Sequence, residues 1–336
     1  MHIWQKYSSA NKALRLGIIL ALLLIAAALF SLCAGASGAS LITGLKDAVS
    51  GADTPAARIV IHVRLPRTVA AIMAGAALSC AGVIIQGVLG NPLAGPNVIG
   101  VNAGAGFMAL LAACLTVPAA LIPAAAFLGA LAAAGVIMLL AGCMGASRIT
   151  VVLAGVALSS IISAGTDLIT TIDPDATLGM STFMIGGFSG VTAVKLRIAA
   201  CYIIPALLAA ILTFRELDML GLGDEVASSL GLRVRLCRCI QLLIAAVLAG
   251  AAVSFSGLLG FVGLIVPHAL RRVVGSEHRL LMPLSIVAGS LFVLVCDTVA
   301  RTAFAPYELP VGILLSLIGG PFFLILLMRT RKGWDA

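Results

Sequence analysis

The feature that most constrains this chain is the recurrence of apolar runs, each closed by a short polar or glycine- and proline-bearing connection. A helix needs about 20 apolar residues to cross the hydrocarbon of a bilayer. In lipid, every backbone N–H and C=O must also find its partner inside the protein. Ten runs can be placed, at 16–33, 66–88, 98–115, 119–143, 149–171, 194–214, 236–255, 258–270, 281–300 and 311–328. The segment 173–191 is glycine-rich and only moderately apolar, so it is predicted as a short re-entrant or surface helix. The segment 35–62 carries Lys46, Asp47 and Asp53 and is too polar to span; it reads as an external loop with an amphipathic turn.

Composition agrees. The chain is 61% hydrophobic and 10% charged, whereas soluble domains run about 45–50% apolar and about 25% charged. A water-soluble enzyme is thereby excluded. Thirty-six glycines and few aromatics suit helices that approach closely in lipid. The expected fold is all-α and polytopic, one transmembrane domain over 1–336 with about ten transmembrane helices. The first run resembles a signal peptide in its basic flank and its Ala34-Gly35-Ala36 sequence, but the nine further spans favour an uncleaved helix.

The net charge is +8. The basic residues are spread over short loops rather than gathered on one face, so no nucleic acid is expected as a partner. Fourteen of the 21 Lys and Arg residues fall on the side of the N-terminus, which predicts both termini in the cytoplasm. The eight cysteines mostly lie inside apolar runs, and four scattered histidines offer no metal-binding spacing, so no cofactor is expected.

Residues 74–82 (AGAALSCAG) match 249–257 (AGAAVSFSG), and the offset of 175 continues to Pro92/Pro267, Val98/Val273 and Gly100/Gly275. The match pairs the second span with the seventh. They stand five places apart in the order of spans, an odd number, so the copies point opposite ways. Approximate inverted repeats over 64–171 and 239–328 follow, an architecture found in many transporters.

The second span ends in Asn91-Pro92-Leu93-Ala94-Gly95-Pro96 on the predicted cytoplasmic side. Two prolines break the helix there, which is tolerable where backbone is buried in protein or lines a water-filled cavity; an ordinary tight turn is the alternative. Arg64 and Arg67 flank Pro66 at the predicted outer start of that span, where cations oppose the helix macrodipole. Their planar forks suit carboxylates of an external partner, or they anchor in lipid headgroups. Asp297 and Arg301 are spaced i,i+4 and could form a structural pair. In 215–235, Asp224 reads as an N-cap and Gly231 as a C′ residue around a helix 225–230. Leu217, Leu220, Leu222, Val226 and Leu230 are too apolar for a free loop, and pack on a partner or under the bundle. In the fifth span Ser159, Ser163, Thr166 and Thr170 share one helical face, beside Asp167, which needs a protein or water-filled surrounding. No GxxxxGK[ST] phosphate loop occurs, so this chain is not expected to hydrolyse ATP.

Several motifs in sequence resemble the FecCD permease family: Arg64-Leu65-Pro66-Arg67, Gly75-Ala76-Ala77-Leu78, Gln86, Asn91-Pro92-Leu93-Ala94, Phe261-Val262-Gly263-Leu264 with Pro267-His268, and Glu308-Leu309-Pro310-Val311-Gly312 with Gly320-Pro321-Phe322-Phe323. These are membrane subunits of ABC importers for ferric siderophores, haem and cobalamin. The resemblance spans residues 64–328 and implies a BtuC-like permease fold in a bacterial plasma membrane. It implies a second permease subunit (a copy or a sister chain), two copies of an ATP-binding cassette ATPase, and an external substrate-binding protein. By resemblance, Arg64, Arg67 and Arg301 dock the binding protein. Asn91 and Leu93 form a cytoplasmic gate opposed by the loop around Ser147 and Arg148. The fifth helix, with Ser159, Ser163, Thr166, Asp167 and Thr170, lines the pathway, and 215–235 couples to the ATPase through Leu217, Leu220, Asp224, Glu225, Val226 and Leu230. Gly95 departs from the family pattern, in which many relatives have an acidic or other polar residue. An ion-coupled secondary transporter is the alternative, weakened by the scarcity of acids within spans. A membrane enzyme is disfavoured, because His268 with Arg271 and Arg272 is the one cluster that could serve it.

Overall fold

The computed structural model describes residues 2–34, 41–50, 52, 54–143, 148–304 and 307–331, and regular structure among them is entirely helical. In chain order the helices are α1 (His2–Cys33), α2 (Leu41–Val49), α3 (Pro55–Ile59), α4 (Leu65–Leu89), α5 (Val101–Cys114), α6 (Ile122–Cys143), α7 (Arg148–Ile172), α8 (Pro174–Ile185), α9 (Ala193–Leu212), α10 (Phe214–Gly221), α11 (Asp224–Ser229), α12 (Val234–Ser256), α13 (Val262–Val274), α14 (His278–Thr302) and α15 (Val311–Arg331). Each of the ten apolar runs is a helix, and 173–191 contains the short α8. Seven of the helices are long and apolar enough to cross a membrane. The third and eighth runs form helices of 14 and 13 residues. At 1.5 Å per residue, a 13-residue helix reaches about 20 Å, less than the hydrocarbon thickness of about 30 Å.

The second span begins earlier than its Pro66 suggested. Helix runs from Pro55 to Leu89. Thr54 caps it by accepting from the Ala57 N–H, with Pro55 in the first helical position. Val60–Arg64 forms a π-turn in which the Leu65 N–H bonds the Val60 carbonyl. This widened turn lies immediately before Pro66, whose nitrogen has no hydrogen to give, so the chain passes the proline without ending the helix. Part of the segment read as an external loop is therefore helical.

Helix α4 is the axis of the bundle. From Pro66 to Leu89 nearly every residue is buried, packed against α12, α13, α14 and α9. Glycine makes these contacts possible: a Cβ on Gly75 would strike the backbone of Gly289 in α14, and one on Gly82 would strike Gly263 in α13. In lipid such close backbone approach replaces the hydrophobic drive that holds soluble helices together.

The breaks between helices close on one another. The Leu258 N–H donates to the Phe183 carbonyl at 3.0 Å, Gly187 N–H to Ser256 at 2.7 Å, and Gly312 N–H to Gly186 at 3.1 Å. The ends of α8 and α12 and the start of α15 thus satisfy each other's freed backbone. Side chains complete the pattern: Gln86 Nε2 donates to the Gly263 carbonyl and Asn102 Nδ2 to that of Leu259. By contrast α1 and α7 expose much of their apolar surface, including Leu22, Ile25, Leu153 and Ile161.

Gly82→Ala is expected to lower the thermal unfolding midpoint of the detergent-purified chain. The added methyl meets backbone that cannot rotate away, and overpacking costs about 1–3 kcal/mol. Gly95→Ala should leave the midpoint within error, because a Cβ there meets nothing within 4 Å.

Candidate functional site

At one end of the bundle the three arginines read as docking residues form a single buried cluster. Arg64, Arg67 and Arg301 are 3%, 6% and 2% exposed, and Asp297 is fully buried. Arg67 lays its fork on Asp297, with Nε 3.1 Å from both carboxylate oxygens and Nη2 3.0 Å from Oδ1, and its Nη1 donates to Glu308. Arg301 Nε stands 3.9 Å from Asp297 Oδ2, while its Nη2 donates to the Ser31 carbonyl and hydroxyl. Ser31 and Thr68 share a hydroxyl hydrogen bond of 2.9 Å.

Arg64 resolves the macrodipole difficulty. Because the helix begins at Pro55, Arg64 is not at a helix N-terminus. Its Nη1 donates instead to the carbonyls of Leu32 and Cys33, 2.9 and 3.1 Å away, at the C-terminus of α1. Those carbonyls lack intrahelical partners, and a cation is favourable there. The three arginines thus tie α1, α4 and α14 together. Glu308, with 41% of its side chain accessible, is the part of the cluster that faces outward.

At the opposite end, α4 stops in a Schellman turn. Gly90 is left-handed at φ 60°, and the Asn91 N–H reaches the Gln86 carbonyl at 3.2 Å. Asn91 then folds the loop with its own side chain, its Oδ1 accepting from the Leu93 N–H at 2.9 Å. Pro96 opens a single 3₁₀ turn, and left-handed Gly100 leads into α5. Asn91 is exposed and Leu93 half-buried. An open cleft of about 840 Å³ brings this loop together with the start of α7 and the α10–α11 connection; Gly90, Asn91, Ile149, Leu153, Leu222 and Asp224 line it. Ser147, expected to oppose this loop, lies outside the described residues.

On α7 the hydroxyls divide. Thr166 and Thr170 donate to the carbonyls of Ile162 and Thr166, four residues back. Ser159 is half-buried and Ser163 exposed. Asp167 is exposed on an otherwise apolar helix, a position that needs a further protein surface or water beside it.

The segment 215–235 holds two helices where one was expected. Helix α10 covers Leu217 and Leu220 almost completely, at 0% and 1% exposure. These two pack under the bundle, the alternative that their apolar character left open. Leu222, Val226 and Leu230 remain exposed around α11, as does Glu225. The N-cap is Gly223 rather than Asp224. The Asp224 carboxylate instead accepts from Arg238 Nη2, 2.8 Å from each oxygen, while Gly231 takes the left-handed φ of 87° expected of a C′ residue.

One contact had no signal in the sequence. Asp218 on α10 accepts from both the backbone N–H and the ring Nδ1 of His278, at 3.0 and 2.6 Å. It joins α10 to the first turn of α14 across 60 residues of chain.

This arrangement of broken helices around a buried axis is a membrane-permease architecture, and the comparisons identify which one. Residues 23–329 match the FecCD transport family. The hemin transport system permease protein HmuU of Yersinia pestis is 38% identical over 283 residues, covering 82% of this chain and 84% of its own. The Fe(3+) dicitrate transport system permease protein FecD of Escherichia coli is 37% identical over 275 residues, covering 81% and 86%. The cobalamin import system permease protein BtuC of Halobacterium salinarum is 38% identical over 279 residues, covering 82% and 74%. A solved inward-facing conformation of a metal-chelate type ABC transporter superposes with a TM-score of 0.83 at 29% identity, covering 94% of this chain and 99% of that one. The chain belongs to the FecCD transport family.

Asp297→Asn is expected to destabilise the purified chain severely. Removing one partner of a buried ion pair typically costs about 3–5 kcal/mol, because the remaining charge is stranded. Asp224→Ala, which breaks a pair whose carboxylate is half accessible, should cost about 0–1 kcal/mol. Thermal unfolding of the two variants in one detergent measures the difference.

Proposed function

We propose that this chain is the permease subunit of a binding-protein-dependent ABC importer that moves a ferric siderophore, or a haem- or cobalamin-like chelate, into the cytoplasm. The observation that carries the reading is the cleft shared by the Asn91–Leu93 loop, the start of α7 and the exposed helix α11. A partner that grips Leu222, Val226 and Leu230 lies within one cleft's width of the loop proposed as the gate. Two copies of an ATP-binding cassette ATPase would dock there, with Glu225 at the rim of the contact. The Asp218–His278 contact would carry their movement into α14.

Asp167 on the bare face of α7 supports a second permease subunit, with the pathway between the two chains and Ser159, Ser163, Thr166 and Thr170 along it. The halves 64–171 and 239–328 would rock as inverted repeats. At the far end the binding protein would settle over the end of the bundle that Arg64, Arg67 and Arg301 hold together, with Glu308 the group of that cluster nearest to it. Both termini are assigned to the cytoplasm of a bacterial plasma-membrane protein by the distribution of Lys and Arg.

The chain co-purified with its cognate ATPase subunit should form a complex that hydrolyses ATP. Val226→Glu with Leu230→Glu should abolish the association while leaving membrane insertion and the unfolding midpoint unchanged, since both side chains are exposed. Uptake by the chain alone, driven by an ion gradient and indifferent to ATP depletion, would overturn the reading.

A further inference from the structure

Two cavities meet at Lys195, on the flank of the bundle formed by α6, α9 and α12, at the end that carries the arginine cluster. The first, about 190 Å³, is walled by Leu121, Phe127, Ile198, Tyr202 and Phe255. The second, about 240 Å³, sets the hydroxyls of Thr182, Ser189 and Ser254 among Met180, Phe183 and Phe255. Lys195 borders both. The first chamber is mostly apolar, the second adds hydroxyls to an apolar wall, and Lys195 is the one cation among the described residues that borders them.

The sequence builds this division along one helix face. Lys195, Ile198, Ala199 and Tyr202 fall at i, i+3, i+4 and i+7 of α9, so they form one stripe. It runs about 10 Å inward from the cation. Phe127 closes the inner end, its ring centroid 5.0 Å from that of Tyr202. Lys195 is the third residue of the apolar span Ala193–Leu212, which sets its ammonium at headgroup depth with the apolar stripe at acyl-chain depth. It is half-buried and makes no ion pair among the described residues.

We propose that this paired cavity is a binding site for one anionic phospholipid. The headgroup phosphate pairs with Lys195 beside the Thr182 and Ser189 hydroxyls, and an acyl chain lies along Ile198 and Tyr202 against Phe127. Charge complementarity selects the anion. The order of the chambers along the membrane normal selects an amphiphile over a small solute. The site requires only that α9 spans the bilayer, so it stands apart from the transport reading and from the pathway face of α7.

Native mass spectrometry of the full-length chain in dodecyl maltoside, titrated with palmitoyl-oleoyl phosphatidylglycerol and separately with the phosphatidylcholine of the same chains, tests the proposal. One phosphatidylglycerol should be retained at concentrations where phosphatidylcholine is not. Lys195→Gln should weaken its binding about tenfold or more, as expected for loss of a charge-assisted hydrogen bond, while Lys195→Arg retains it. Tyr202→Ala should weaken binding and keep the preference for the anionic lipid, and Arg197→Gln, which lines neither chamber, should leave it unchanged. Equal retention of both lipids by the unaltered chain, or indifference to Lys195→Gln, would overturn the proposal. So would displacement of the lipid by millimolar inorganic phosphate alone, which would make the site one for small anions.

Discussion

In hydrocarbon there is no water to accept a stray N–H, and this constraint governs every departure from regular helix in the molecule. The chain breaks its helices repeatedly, at Gly90, Gly186 and Gly257 among others. The break at Gly90 closes within its own turn, and those at Gly186 and Gly257 are answered by other segments. The ends of α8 and α12 and the first turn of α15 bond one another through Phe183, Gly186 and Ser256. These three segments therefore stand or fall together, and α8, which does not span, becomes structural rather than ornamental.

The same logic explains the charges. Arg64 satisfies the last carbonyls of α1, Arg301 reaches Ser31 of that helix, and Arg67 joins Asp297 of α14 to Glu308 beyond it. Helix α1 shows lipid most of its surface, so polar contacts at its end fasten it to the bundle. At the other end Asp218 plays the matching part for α10, holding it to His278. The two ends nevertheless differ: the first is dry and internally paired, whereas the second leaves Leu222, Val226 and Leu230 uncovered next to an open cleft. An internally paired end and an end with uncovered apolar surface fit the proposed docking of an ATPase at one side.

Much of the fold was legible because it is local. The length of an apolar run, the proline that opens Asn91–Pro96, and Gly231 at the close of α11 each act within a few residues, so their consequences follow from the order of the chain. Local reading failed where a nearby signal was overridden. Pro66 marks a helix start by its chemistry, yet a π-turn immediately upstream absorbs it and moves the start to Pro55. Asp224 has the chemistry of an N-cap, but Arg238, fourteen residues on, claims its carboxylate.

The sequence by itself determined that this chain lives in a bilayer, which of its long apolar runs are helices, and to which family it belongs. Those properties follow from hydrophobicity and motif order, which do not depend on what packs against what. Only the tertiary structure decided what the polar residues touch. Arg67 and Asp297 are 230 residues apart, and Leu217 and Val226 look alike in the sequence although one is sealed beneath the bundle and the other is bare. A side chain's partner depends on which helix faces cross, and in this bundle the crossings are fixed by backbone contacts at Gly75, Gly82, Gly263 and Gly289, whose pairing cannot be read along the chain.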